Sequence, residues 1–150
     1  MRPRTVGRRL ALQYLFMADM NRFSDIEMPE EFFRTQRTAI LDEERGGGDE
    51  DIFGSDYSQR GGAEEFALSL IHEVEQNIES IDAAIEKAAQ NWSIARMGVI
   101  ERNVIRLAAA ELRFGASPRG VIIDEAVELA KRFGDKESGA FVNGIADKLQ

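Results

Sequence analysis

Four arginines stand within the first nine residues, at Arg2, Arg4, Arg8 and Arg9. A guanidinium is a rigid fork of N–H donors that matches phosphate oxygens two at a time, so several along one segment could hold a nucleic-acid backbone. The alternative is a solvated terminus with ordinary positive charge, because a basic patch alone is a weak marker. A second set lies further on. At about 100° of rotation per residue in a helix, Arg102, Arg106 and Arg113 point in nearly the same direction, a basic stripe on an otherwise apolar stretch. Such a stripe either contacts a ligand or forms ion pairs across a helix interface. Glu101 falls within the arc of Ile105, Ala108 and Leu112, and a carboxylate there needs a partner, either an arginine of the fold or a group on another protein.

The constellations that enzymes require are missing. The chain has one histidine, His72, and no cysteine. His72-Glu73 lacks the second histidine of a zinc metalloprotease helix, so His72 reads as a partly buried helix residue. Asp49-Glu50-Asp51-Ile52-Phe53-Gly54 looks like the start of a calcium loop, but Phe53 and Arg60 stand where oxygen ligands are required. No phosphate-binding loop, dinucleotide fingerprint or nucleophile elbow occurs. The expectation is no catalytic residue, no metal and no cofactor.

Charge decides where a nucleic acid could bind. The net charge is −8 over 150 residues, but it is unevenly spread. Residues 1–20 carry four arginines against one aspartate, while residues 21–65 carry thirteen acids against five arginines. A small basic end on an acidic body still permits local phosphate binding, since exposed charges more than ~8 Å apart are largely screened at physiological salt. The absence of cysteine fits a reducing cytoplasm. No apolar run approaches the ~20 residues of a membrane span, and the apolar stretch after Arg9 is broken by Gln13 and Asp19, so neither membrane association nor a signal peptide is expected.

The elements that must position these residues are helices. At 150 residues the chain suits one domain that buries roughly 70% of its unfolded surface, and helical periodicity dominates, predicting an all-α fold of six or seven helices. A first helix, about 6–20, gathers Ala11, Leu12, Tyr14, Leu15 and Ala18, with Arg2 and Arg4 in a segment loosened by Pro3 and Gly7. A second, about 29–44, has Pro29 in its first turn and Phe32, Phe33, Ile40 and Leu41 as anchors. Residues 44–62, with six glycines and an acidic run, read as a mobile loop. A third helix from about Ala63 buries Phe66, Leu68, Leu70, Ile71 and Val74. A fourth starts near Asp82, an N-cap type of residue, and a fifth spans about 97–114. In the sixth, Val121, Ile122, Ala126, Leu129, Ala130 and Phe133 share an arc, and Gly134 is placed to end it in a left-handed cap. A seventh, about 138–149, brings Phe141, Val142, Ile145 and Leu149 to one side. The chain divides into subdomains of about 1–79 and 80–150.

Three motifs now carry a resemblance. Arg8-Arg9-Leu10-Ala11-Leu12-Gln13-Tyr14-Leu15-Phe16, Ile100-Glu101-Arg102-Asn103-Val104-Ile105-Arg106-Leu107-Ala108-Ala109-Ala110-Glu111-Leu112, and the run from Pro118 to Gly134 continuing to Phe141-Val142-Asn143-Gly144 occur in the order seen in the NusB family of transcription antitermination factors, which the chain resembles. That resemblance implies two packed three-helix subdomains. It also implies a factor that binds the boxA element of ribosomal RNA leader transcripts together with NusE, a ribosomal protein, and helps RNA polymerase resist termination within an antitermination complex. Carried over residue by residue, it places Arg8 and Arg9 at the end of an arginine-rich RNA-binding segment, with Arg2 and Arg4 as its looser counterpart. It places Phe141, with Glu137 and Ser138 before it, where RNA bases are met, and Phe16 and Glu101 on the NusE surface, with Arg102 and Arg106 on the neighbouring helix as further RNA-binding candidates.

Phe141 could stack on an unpaired base or pack in the core; the residues alone leave both open. Glu125, Glu128, Asn143 and Gly144 read as structural. The chain departs from the family pattern in its diluted arginine segment, in Arg9, where an acidic residue is common, and in its acidic glycine-rich insertion. The expectation is weaker affinity for RNA alone and greater dependence on NusE, with contacts to about four phosphates and a log–log salt slope near −3. A homodimer of the free chain stays open. So do a helical adaptor that binds only protein and a domain like the NusB-like RNA-binding domains fused to RNA cytosine methyltransferases; a hydrolase is disfavoured by its missing groups.

Overall fold

A computed structural model of the protein describes residues 2–44, 57–115 and 117–150. Every regular element among them is helical: α1 (Pro3–Met20), α2 (Pro29–Glu44), α3 (Tyr57–Gln76), α4 (Ile78–Ala88), α5 (Val99–Phe114), α6 (Arg119–Phe133) and α7 (Ser138–Ala146), with a 3₁₀ turn at Ile94–Arg96. The all-α expectation holds. Two compact units divide within α3, Met1–Leu68 and Ser69–Gln150.

In the first unit, α1 begins at Pro3 and not at Val6. Proline is pre-organised for the first helical position, where a missing N–H costs nothing, so Arg4 is helical instead of loose. Gly7 sits inside the helix because a Cβ there would lie 2.7 Å from the Ala63 carbonyl oxygen and 2.9 Å from Phe66. Ala11, Leu12, Tyr14, Leu15 and Ala18 are buried as expected. The Tyr14 ring meets Phe32 edge-on at 5.4 Å and Phe33 at 6.5 Å, and its hydroxyl donates to the Glu27 carbonyl at 2.7 Å. Glu31, in the first turn of α2, accepts hydrogen bonds from Arg34, which hold its carboxyl below the usual carboxylate range. The side chains of Ile40 and Leu41 lie outside the described residues, as do residues 45–56 of the expected loop; residues 57–62 are already helical, in α3.

In the second unit, Leu70, Ile71 and Val74 of α3 are buried, whereas Phe66 and Leu68, on the part of α3 that belongs to the first unit, are half-buried. The fourth helix starts at Ile78, with only Asn77 between it and the end of α3, because the Asn77 carbonyl already accepts the Ile81 N–H at 2.8 Å. Asp82 is therefore inside α4 and is not its N-cap. Against α4 and α5 pack α6 and α7, around Ile81, Ile85, Val104, Ile105, Ile122, Ala126, Ala130 and Val142, all buried. Helix α5 ends at Gly115 in the left-handed conformation, φ 64°. The end of α6 differs from the expected left-handed cap, since Gly134 has φ −97° and ψ −158°. Its glycine answers crowding instead: a Cβ would fall on the Ser138 side chain and 2.8 Å from the Ala130 carbonyl oxygen. On α6, Ile123 is buried and Val121 exposed, so the buried arc is rotated from the expected one. Arg119 donates to the carbonyls of Ala146, Asp147 and Leu149 at 3.3, 2.9 and 2.6 Å, tying the start of α6 to the chain at and after the end of α7.

Candidate nucleic-acid interface

The turn between α6 and α7 is built on Asp135. Its Oδ1 accepts the backbone N–H groups of Glu137 and Ser138 at 2.8 and 3.1 Å, an aspartate capping the first turn of a helix. Ser138 is 1% exposed. Its hydroxyl oxygen accepts the Asp135 N–H at 3.0 Å, and the hydroxyl donates to Glu101 Oε1. Ser138 thus faces inward and supports the turn, so the RNA-contact expectation for its side chain does not fit its burial. Glu137 is exposed beside it. Phe141, one turn into α7, is half-buried, and its ring stands edge-to-face with Trp92, centroids 6.1 Å apart and planes at 76°.

Trp92 went unremarked in the sequence, yet it is 52% exposed. The signal was available: it is the sole tryptophan of the chain, in a break between helices where no apolar arc accounts for it. Gln90 and Asn91 just before it are both left-handed, φ 56° and 68°. Glu86 holds the segment at two points, its carbonyl accepting the Asn91 N–H at 2.8 Å and its Oε1 accepting the Ile94 N–H at 2.9 Å.

The expected basic stripe on α5 comes apart in three dimensions. Arg106 is buried, its Nε and Nη2 donating to the two carboxylate oxygens of Asp82 at 2.8 and 2.9 Å and its Nη1 to Asn103 Oδ1 at 3.0 Å. This is the interhelical ion-pair alternative, and it corrects the RNA-binding expectation for Arg106. Arg113 donates to Ser80 Oγ at 2.9 Å and lies 4.0 Å from the Glu73 carboxylate. Arg102 is half-buried and donates to the Met97 carbonyl at 3.1 Å. Glu101, also half-buried, has its partner within the fold, Ser138.

In the first unit the arginines also separate. Arg2 and Arg4 are exposed and Arg9 is half-buried, but Arg8 is only 5% exposed. Arg4 and Arg8 lie over the Phe66 ring, at 5.6 and 5.5 Å from its centroid, which makes Phe66 a shared cation–π platform and accounts for its incomplete burial. Phe16 is 40% exposed on α1, an apolar ring presented to solvent. Among the described residues no group of three or more histidine or acidic side chains could hold a metal ion, and no helix is long and apolar enough to cross a membrane.

The NusB family model matches residues 5–150. A "Transcription antitermination protein NusB" from Sorangium cellulosum is 39% identical over 150 residues, spanning 99% of this chain and 92% of the relative. Among solved structures, T. maritima NusB superposes with a TM-score of 0.73 at 35% identity, covering 99% of this chain and 91% of the other. A structure of the antitermination factors NusB and NusE in complex with double-stranded RNA matches with a TM-score of 0.68 at 33% identity, covering 98% and 95%. These relatives are named as transcription factors and not as enzymes. With a family match along nearly its whole length, and seven α-helices among the described residues, this chain belongs to the NusB family.

Proposed function

We propose that the chain is a non-enzymatic antitermination factor that binds the boxA element of ribosomal RNA leader transcripts together with NusE and helps RNA polymerase resist termination in the cytoplasm. The observation that carries this reading is the family match over residues 5–150. The relative solved with NusE and double-stranded RNA supports the choice of partners. On this reading Arg2, Arg4 and Arg9 hold phosphates, and Glu137 and Phe141 meet bases at the start of α7. Phe16 and Glu101 serve the NusE surface, and Arg102 adds positive charge on α5.

The test is a fluorescence-anisotropy titration of boxA-like RNA against a scrambled strand of equal length, with and without NusE, at two salt concentrations. Preference for boxA that strengthens with NusE is the expected result. Equal binding of both strands in all conditions would discard the reading in favour of a protein-binding adaptor.

A further inference from the structure

We infer that Trp92 and Phe141 together form a two-walled site for one unpaired nucleobase, with Trp92 as a second, unassigned base-contacting residue. The inference rests on the RNA-binding reading above and adds to it a residue and a strand preference.

The two rings touch and stand nearly perpendicular, 76° between planes at 6.1 Å. Perpendicular aromatic walls leave an inside corner. A flat heteroaromatic ring entering that corner can stack on one wall and meet the other through its edge, both favoured arrangements of aromatic quadrupoles. A base inside a duplex has both faces occupied by its neighbours, so only an unpaired or splayed-out base can enter.

Burial and backbone support the same conclusion. A tryptophan that served only to fill the core would be covered, yet Trp92 is 52% exposed. The segment that carries it is not slack. Gln90 and Asn91 take the left-handed conformation immediately before it, closing α4 with a helix cap in which the Asn91 N–H donates to the Glu86 carbonyl at 2.8 Å and the Gln90 N–H to the Lys87 carbonyl at 3.2 Å. Glu86 ties the segment to α4 through both its carbonyl and its carboxylate. The opposite wall is held as firmly, because α7 starts on the Asp135 cap and the buried Ser138. The backbone that carries each ring is thus held before any ligand arrives, which lowers the ordering cost of binding. Exposed Arg96, on the 3₁₀ turn four residues after Trp92, brings positive charge to that segment, while Lys136 in the turn before α7 is flanked by Asp135 and Glu137.

Because Trp92 is the sole tryptophan, its emission reads the site directly. The chain is titrated, with NusE present, with single-stranded boxA-like RNA and with the same strand annealed to its complement. Subtracting the identical titration of Trp92→Phe isolates the Trp92 signal, and anisotropy of labelled RNA follows total binding in parallel. The expected result is quenching of Trp92 by the single strand and not by the duplex, with an affinity loss of roughly five- to 150-fold in Trp92→Ala. Trp92→Phe, which keeps an aromatic wall, retains most of the affinity, and circular dichroism verifies that both variants fold. RNA binding at full strength with unchanged Trp92 emission and a neutral Trp92→Ala would overturn the inference while leaving the antitermination reading intact. Equal quenching by the duplex would overturn the unpaired-base assignment. No RNA binding in the anisotropy channel would remove the antitermination reading and this inference with it.

Discussion

The Asp82–Arg106 pair offers the sharpest test of how the α5 arginines are sorted. The Arg106 side chain is 5% exposed and that of Asp82 24%, and two parallel N–H···O bonds of 2.8 and 2.9 Å join them. Asp82→Leu would take the carboxylate away from a buried guanidinium that also donates to Asn103. Breaking a buried pair by removing one partner costs about 3–5 kcal/mol. Arg106→Met would strand the other charge, but that carboxylate reaches water over a quarter of its surface, so its cost should fall nearer ~1–3 kcal/mol. In the double variant no charge is left alone and the apolar side chains fill the space, bringing stability back to within about 1 kcal/mol of the parent. Against a total of roughly 5–15 kcal/mol for a domain, the first substitution is severe. Urea denaturation followed by far-ultraviolet circular dichroism reads all four proteins, and midpoints should move without a change in slope. Two results would refute the reasoning. Single variants that each cost less than ~1 kcal/mol would mean a solvated, weak pair. A fall of about 0.7 in the salt slope of RNA binding for a folded Arg106→Met would mean that this guanidinium holds a phosphate.

The N-terminal arginines should divide in the same manner. Arg8→Ala removes a buried cation from the Phe66 ring and should cost about 1–2 kcal/mol of stability in thermal or urea unfolding. Arg2→Ala, at an exposed position, should leave unfolding nearly unchanged and reduce the salt slope of RNA binding by about 0.7. The two helix-ending glycines should fail for different reasons. Gly115→Ala meets open space but a positive φ, so it should cost about 1 kcal/mol with RNA binding intact. Gly134→Ala drives a Cβ onto Ser138, so it should cost at least ~1–3 kcal/mol and also weaken RNA binding by disturbing the start of α7; equal behaviour of the two variants in both assays would contradict this distinction.

Periodicity made the helices legible, and local chemistry set their ends. Ala11, Leu12, Tyr14, Leu15 and Ala18 were readable because they repeat on one arc of α1, and all are buried. The extension of α1 back to Pro3 was readable in principle, since proline favours the first turn. It was obscured by Gly7, a helix-weakening residue whose reason, the Ala63 carbonyl, lies more than fifty residues away. Gly134 shows the same limit. Position after an amphipathic run suggested a left-handed cap, but what the site excludes is a Cβ against Ser138. For the candidate site, directions on an isolated helix put Arg102, Arg106 and Arg113 together. Which of them is available depends on what the neighbouring helices present, and Asp82 of α4 removes Arg106. Trp92 was missed because helical periodicity has nothing to say about a residue between helices.

Burial of Arg8 and Arg106 changes the balance of forces expected in RNA binding. Four phosphate contacts would give a salt slope near −3, but the N-terminal segment keeps Arg2, Arg4 and Arg9 outside the buried set, and three contacts give a slope near −2 on a single strand. Each contact removed from the electrostatic term makes affinity less sensitive to salt and less able to overcome a body charge of −8. What remains must come from terms that salt does not screen, and the stacking of a base is one, at about 1–3 kcal/mol per base. That magnitude changes affinity by about five- to 150-fold, which matters most for a protein with few phosphate contacts. On the proposed reading, an acidic chain of this kind draws either on a fixed aromatic site, for which Trp92 and Phe141 stand together in the second unit, or on a partner that supplies the missing positive surface, for which Phe16 is exposed on α1.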